Sequence, residues 1–334
     1  MGELHLGAPV AGLASRNRIT PEDVLMLRRE VFQDGVVTRG EAESLFALDA
    51  ACEHRCPEWH EFFIEAVCDF IVHQEQPRGY VSVDNADWLV RAISRDGTVD
   101  SASELEMLVK VIETATSVPD QLSAFALKQV AKAAIEGEGP LACGRKNLQK
   151  GVILEAEVGL IRRILYGYGS GGNSGITRAE AEVLFDLNDR TVAARNHPSW
   201  DDLFVKALAN HLMCASGYTA PSREEALARE TFFEEQDVQV GRFFSRMVSG
   251  GMSAILSAYR RDDSIETYYA EKNARMDIEG RVAERVDQGE AEWLAARIGR
   301  DGRLHDNEKA LLSFLRTQSP EIHPALKDLI DQVA

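Results

Sequence analysis

Four short turns in this chain carry acidic and glycine residues at a spacing that could hold a divalent cation. The first runs Asp34-Gly35-Val36-Val37-Thr38-Arg39-Gly40-Glu41 and the second Asp96-Gly97-Thr98-Val99-Asp100. The third runs Asn173-Ser174-Gly175-Ile176-Thr177-Arg178-Ala179-Glu180 and the fourth Asp301-Gly302-Arg303-Leu304-His305, with Glu308 just beyond. A calcium loop of the EF-hand kind needs oxygen ligands at its start, a glycine at its bend, a hydrophobe after it and a bidentate Glu to close it. With Gly35 as the bend, Val37 and Glu41 fall at the hydrophobic and closing positions; Leu304 and Glu308 do so after Gly302. The opening positions fail, because Glu30 and Phe32 precede the first turn and Arg297 and Gly299 the fourth. An atypical site would therefore have to use Asp34 with Glu41, or Asp301 with Glu308, and borrow ligands from elsewhere.

The same residues have a purely structural reading. Glycine ends a helix in the left-handed conformation at little cost, and the next hydrophobe pins the turn to the core. Thr38-x-x-Glu41 and Thr177-x-x-Glu180 then match the capping box that starts a helix. Each turn thus reads as helix stop, core pin and helix start.

Other reactive groups assemble less well. Cys52, Cys56 and His60 have soft-ligand character suited to zinc, but Cys-x-x-x-Cys puts the thiols one helical turn apart, a common pattern for small core residues. Gly167-Tyr168-Gly169-Ser170-Gly171-Gly172 has the outline of a dinucleotide fingerprint but lacks a preceding strand, since Leu160 to Tyr166 continues a helix. His60, His73, His211 and His323 are scattered, and Glu41 and Glu43 do not share a helix face. No nucleophile–base set emerges, so the expectation is a protein that is not an enzyme, with no catalytic residues and no certain cofactor.

The elements that carry these turns repeat. Thr20-Pro21-Glu22-Asp23 opens a helix with Val24, Leu27 and Val31 at helical spacing. Val158-Gly159-Leu160-Ile161-Arg162-Arg163 echoes Val24-Leu25-Met26-Leu27-Arg28-Arg29, and the run from Glu180 to Leu187 echoes the run from Glu41 to Leu48. Pro198-Ser199-Trp200 matches Pro57-Glu58-Trp59; Ala291-Glu292-Trp293-Leu294 matches Ala86-Asp87-Trp88-Leu89. Repetition of this kind marks a duplicated helical architecture. The reading is an N-terminal tail at 1–17, a first domain at 18–135, a Gly-rich linker at 136–151 and a second domain at 152–334, each domain holding two related helical halves. A helical insertion at about 222–285 separates Tyr218 from Trp293. Its aromatic residues Phe232, Phe233, Phe243, Phe244, Tyr259, Tyr268 and Tyr269 are the candidate surface for a protein partner or for self-association. No segment alternates with a period of two, and the fold class is all-α.

Composition sets the surroundings. The 334 residues are 45% hydrophobic and 27% charged, a globular balance, and the net charge is −17. Such acidity disfavours nucleic acid. No apolar run reaches membrane-spanning length, although peripheral association stays open. Five cysteines without a repeated framework fit a reducing compartment, and the expected location is cytoplasmic.

The paired helical halves and the Asp-Gly turns that lead into Glu-rich helices resemble the tellurite-resistance TerB family and its TerB-like relatives, here in tandem. The resemblance covers about residues 18–135 and, in the second domain, 152–220 and 285–334. It implies an all-helical, non-catalytic protein of stress-response and metal-linked complexes, with metal binding through acids that here match Asp34, Glu41, Glu43, Asp96 and Asp301. Asn173 in place of Asp, and Ser103 where the second turn would supply Glu, depart from the pattern. The expected function is therefore a protein-binding scaffold of TerB-like type. The alternative is a sensor or buffer for Ca²⁺, Mg²⁺, Mn²⁺ or Zn²⁺ built on the acids of the turns.

Overall fold

The computed structural model of the chain describes residues 7–31, 36–94, 97–99, 101–141, 150–170, 175–213, 286, 288–300, 302–319 and 323–333. Helix dominates them. In chain order they are α1 (Gly7–Arg16), α2 (Pro21–Val31), α3 (Arg39–Ala51), α4 (Pro57–Cys68), α5 (Val83–Ile93), α6 (Ala102–Thr114) and α7 (Asp120–Glu136). After residue 150 come α8 (Glu155–Leu165), α9 (Arg178–Thr191), α10 (Ser199–Met213), α11 (Gln288–Arg297), α12 (Asp306–Gln318) and α13 (Lys327–Asp331). A two-residue parallel pair, β1 (Arg18–Ile19) on β2 (His54–Arg55), ties the start of α2 to the start of α4. The helical class expected from the sequence is observed. Among the described residues no helix is long and apolar enough to cross a membrane.

The helix starts are fixed locally. Thr38 N–H donates to Glu41 Oε2 at 2.7 Å while Glu41 N–H donates back to Thr38 Oγ1 at 3.3 Å, which closes the first turn of α3. Thr177 and Glu180 do the same for α9 at 2.8 and 3.3 Å, and Ser101 and Glu104 for α6 at 2.9 and 3.2 Å. In α2 the box uses Thr20 with Asp23. Each reciprocal pair satisfies donors that a helix N-terminus leaves without partners.

The turns between helices are pinned from both sides. Gly97 and Gly302 have φ of 86° and 83°, the left-handed conformation expected of a helix-ending glycine. Val37, Val99 and Ile176 are buried after their turns. Side chains then take the turn backbone. Gln129 of α7 donates to Gly97 O and accepts from Val99 N–H, both at 3.0 Å. Asn210 and His211 of α10 bind the N–H and carbonyl of Ile176 at 2.8 and 2.7 Å.

One buried apolar cluster runs from Leu13 to Ile330 and takes residues from both sides of the 136–151 segment. The seam between the two sides is made by α7 on α9 and α6 on α8. Arg163 of α8 forks onto α6, reaching Glu106 at 2.6 Å and Glu113 at 2.7 Å. These contacts hold the Glu113 carboxyl below its usual range and raise the guanidinium further. The glycine-rich run seats here too, where Val118 N–H donates to Gly169 O at 2.8 Å. A Cβ on Gly169 would meet Ile112 O at 2.8 Å and Ala115 O at 3.1 Å, both backbone atoms that cannot swing aside. Gly169→Ala is therefore expected to destabilise the protein by about 1–3 kcal/mol through overpacking. Gly159→Ala, whose Cβ would meet nothing within 4 Å, should cost far less; chemical denaturation of both variants tests this.

Candidate functional site

The acids proposed from the sequence divide into two groups. Asp34, Asp96 and Asp301 lie outside the described residues, as do Phe232, Phe233, Phe243, Phe244, Tyr259, Tyr268 and Tyr269. Glu41, Glu43 and Glu308 are described, and each carboxylate is already engaged. Glu41 Oε2 takes Thr38 N–H and the Thr38 hydroxyl, at 2.7 and 2.8 Å. Glu308 takes Gly299 N–H at 3.0 Å and His305 N–H at 2.8 Å, so it closes the fourth turn onto α12. Glu43 Oε1 accepts the indole N–H of Trp88 at 3.0 Å. Among the described residues no three His, Cys, Asp or Glu side chains come together as a metal site would require.

The soft-ligand group is likewise spread out. Cys52 is buried with its thiol 3.9 Å from Leu13 O, and Cys56 caps α4 through its backbone. Burial pushes both thiols up, away from the thiolate that zinc needs. His60 Nδ1 instead bonds the Ser103 hydroxyl, joining α4 to α6.

What the structure does assemble is an aromatic bracket that occurs in two places. Trp88 of α5 donates to Glu43, lies under the Arg39 guanidinium at 5.0 Å, and meets Phe46 edge-on at 5.8 Å and Phe70 at 5.4 Å. Trp293 of α11 donates to Glu182 at 2.5 Å, with Arg178 at 4.7 Å over its ring and Phe185 edge-on at 5.6 Å. His211 holds the remaining side at 5.0 Å, where Phe70 stands in the other bracket. Tryptophan is the best of the aromatic rings for a cation–π contact, and the two arginines link α3 to α5 and α9 to α11 through it. Burial lowers the His211 pKa, so its ring is neutral at pH 7 and donates Nδ1–H to Ile176 O.

The two brackets differ in their surroundings. Beside the second, Arg297 is 6% exposed, stacks on Phe185 at 5.1 Å and faces three carboxylates, Asp186 at 2.7 Å, Glu182 at 3.5 Å and Asp189 at 3.7 Å. A cleft of about 400 Å³ lies against these acids, lined by Asp186, Asp189, Arg190, Arg300 and Glu308. A second polar cleft of about 490 Å³ opens between α9 and the starts of α10 and α12, lined in part by Asn188, Arg195, Asp201 and Asn307. Asp49 and Asn188 occupy like places, accepting from the buried Trp59 and Trp200 indoles at 2.7 and 3.3 Å. Asp49 also pairs with Arg55 at 2.7 Å, whereas Asn188 accepts from Asn307 at 2.9 Å.

Sequence reasoning passed over Glu43 and Glu182 as indole acceptors, and over Arg163 and Arg297. A clue existed for the first two: each acid stands four residues after an arginine and three before a phenylalanine, in both copies of the pattern. Nothing local marks the others, whose partners come from distant helices. Compared with protein-family models, with curated proteins and with solved structures, the chain matches none.

Capping and metal binding make different demands on Glu41. Gln serves at the same position of a capping box. Glu41→Gln is therefore expected to change stability by less than about 0.5 kcal/mol, while Glu41→Ala costs about 1 kcal/mol. If instead Ca²⁺ or Mn²⁺ raises the melting temperature of the wild type and Glu41→Gln abolishes that rise, the carboxylate is a ligand.

Proposed function

We propose that this chain is a non-catalytic, protein-binding scaffold built from two TerB-like helical domains, working within a stress-response or metal-linked complex. The observation that carries the reading is the fate of the buried acids. Asp23, Glu41, Glu104, Glu157, Glu180 and Glu308 all stand at the third position of a helix and bond the backbone at its start. The one other buried acid among the described residues, Asp49, is held by Trp59 and Arg55. Buried carboxylates are where acid–base chemistry is usually tuned, and here they are spent on helix starts. The two aromatic brackets, with their matching Arg, Glu, Phe and Trp, support descent of the two domains from one unit.

The partner surface is assigned to the segment at about 222–285 on the strength of its aromatic residues, which exceed what a connection needs. Crosslinking and mass spectrometry in native cells should recover a protein with the full chain and lose it with a variant lacking 222–285. That variant must keep the helical circular dichroism of its two domains. Equal recovery from both chains would refute the assignment. The divalent-cation alternative is separated by titration calorimetry with Ca²⁺, Mg²⁺, Mn²⁺ and Zn²⁺. Saturable heat that Asp34→Ala or Asp301→Ala abolishes would replace the scaffold reading with a sensor or buffer.

A further inference from the structure

Glu180 differs from the other capping acids in what lies over it. Its side chain is fully buried where α9 meets α7, inside the seam that joins the two sides of the protein. Oε2 accepts Thr177 N–H at 2.8 Å and the Thr177 hydroxyl at 2.9 Å, but Oε1 has no hydrogen-bond partner. The Ser123 hydroxyl of α7 lies near enough to favour the charged form, yet its proton is given to Asp120 O at 3.1 Å. Leaving a carboxylate oxygen buried and unpaired is costly, whereas a carboxylic acid sits there at much smaller cost.

Among the described residues no cation is bonded to this carboxylate. Asp120 of α7 acts on Glu180 with the same sign. On α9 itself, Arg178 and Glu182 are engaged at the Trp293 bracket, and Arg190 pairs with Glu136 of α7 at 3.7 Å towards the far end of the seam. On α10, His211 is neutral and bonded to Ile176 O, and Lys206 is paired with Asp202 at 2.8 Å. Glu41, which starts α3 in the same way, is 8% exposed and lies outside this seam.

We propose that Glu180 is a proton-controlled latch: as the neutral acid it lets α7 and α9 close, and on ionisation it parts them to reach water. Burial raises its pKa from 4.5 to about 7, with Ser123 and Thr177 opposing and Asp120 assisting. The folded state therefore holds a proton that the unfolded chain releases between pH 4.5 and 7. Stability from this group is complete below pH 4.5 and falls as pH rises through 7. His211 acts with the opposite sign, since its lowered pKa gives stability that is lost as pH falls below 6.5. The comparison must therefore be made against a variant that changes Glu180 alone.

Glu180→Gln keeps the capping box and removes the titration. Relative to this variant, the folded-to-unfolded ratio of the wild type should fall by on the order of 100-fold between pH 4.5 and 8. Corrected for the intrinsic pH dependence of exchange, the protection of residues 120–136 and 178–191 should fall across the same range in the wild type and hold in Glu180→Gln. Carbon-13 NMR of the wild type labelled at glutamate should show one carboxyl titrating near 7 that is missing from the variant. Parallel pH profiles of the two proteins, or no glutamate titrating above about 5, would overturn the proposal. Protection that falls no earlier and no further over residues 120–136 and 178–191 than over α2 to α4 would mean that ionisation does not part the seam, and would also overturn it.

Discussion

Helices of ten to seventeen residues spend a large share of their backbone on their ends, and the described residues of this protein fall mostly into such helices. The first turn of each has N–H groups without partners, and a core assembled from many short helices must bury several of those turns. Here one arrangement serves again and again, an acid at the third position folding back on the residue before the helix. It lets a helix begin inside the protein without losing hydrogen bonds. The turns can then be tight, the tryptophans can sit deep, and the acidic composition of the chain becomes part of its interior.

That dependence changes how the acids of the turns are to be understood. An acid close to an Asp-Gly turn invites a cation when only its neighbours in sequence are considered. In the fold, Glu41 and Glu308 face backbone N–H groups, and Glu43 faces an indole N–H. Those donors supply the positive end that a metal would otherwise provide. The capping boxes at Thr38 and Thr177 were legible from spacing alone, because a box is complete within four residues. The left-handed glycines and the buried hydrophobes after them were legible for the same reason.

Long-range features were not legible. Arg163 looks like an ordinary helix-surface arginine until α6 is brought beside it, and Gly169 looks like part of a loose, expanded turn until Ile112 and Ala115 lie against it. Glu180 is indistinguishable in sequence from Glu41, and only the approach of α7 makes the two carboxyls different. The same holds for Asp49 and Asn188, whose exchange alters charge deep in the protein while the indole they both receive stays in place. Repetition in the chain revealed which residues correspond, but the divergence between corresponding residues is set by neighbours that the repeat does not specify.

The seating of Gly169 against α6 carries a further consequence. Its carbonyl receives the N–H of Val118, so a backbone hydrogen bond of one side is completed only by the other. Together with the fork of Arg163, this makes each side the natural template for its mate. Severed within residues 142–149, the chain would yield two fragments whose most complementary surface is each other, so the pair would act as a split protein that reassembles in trans.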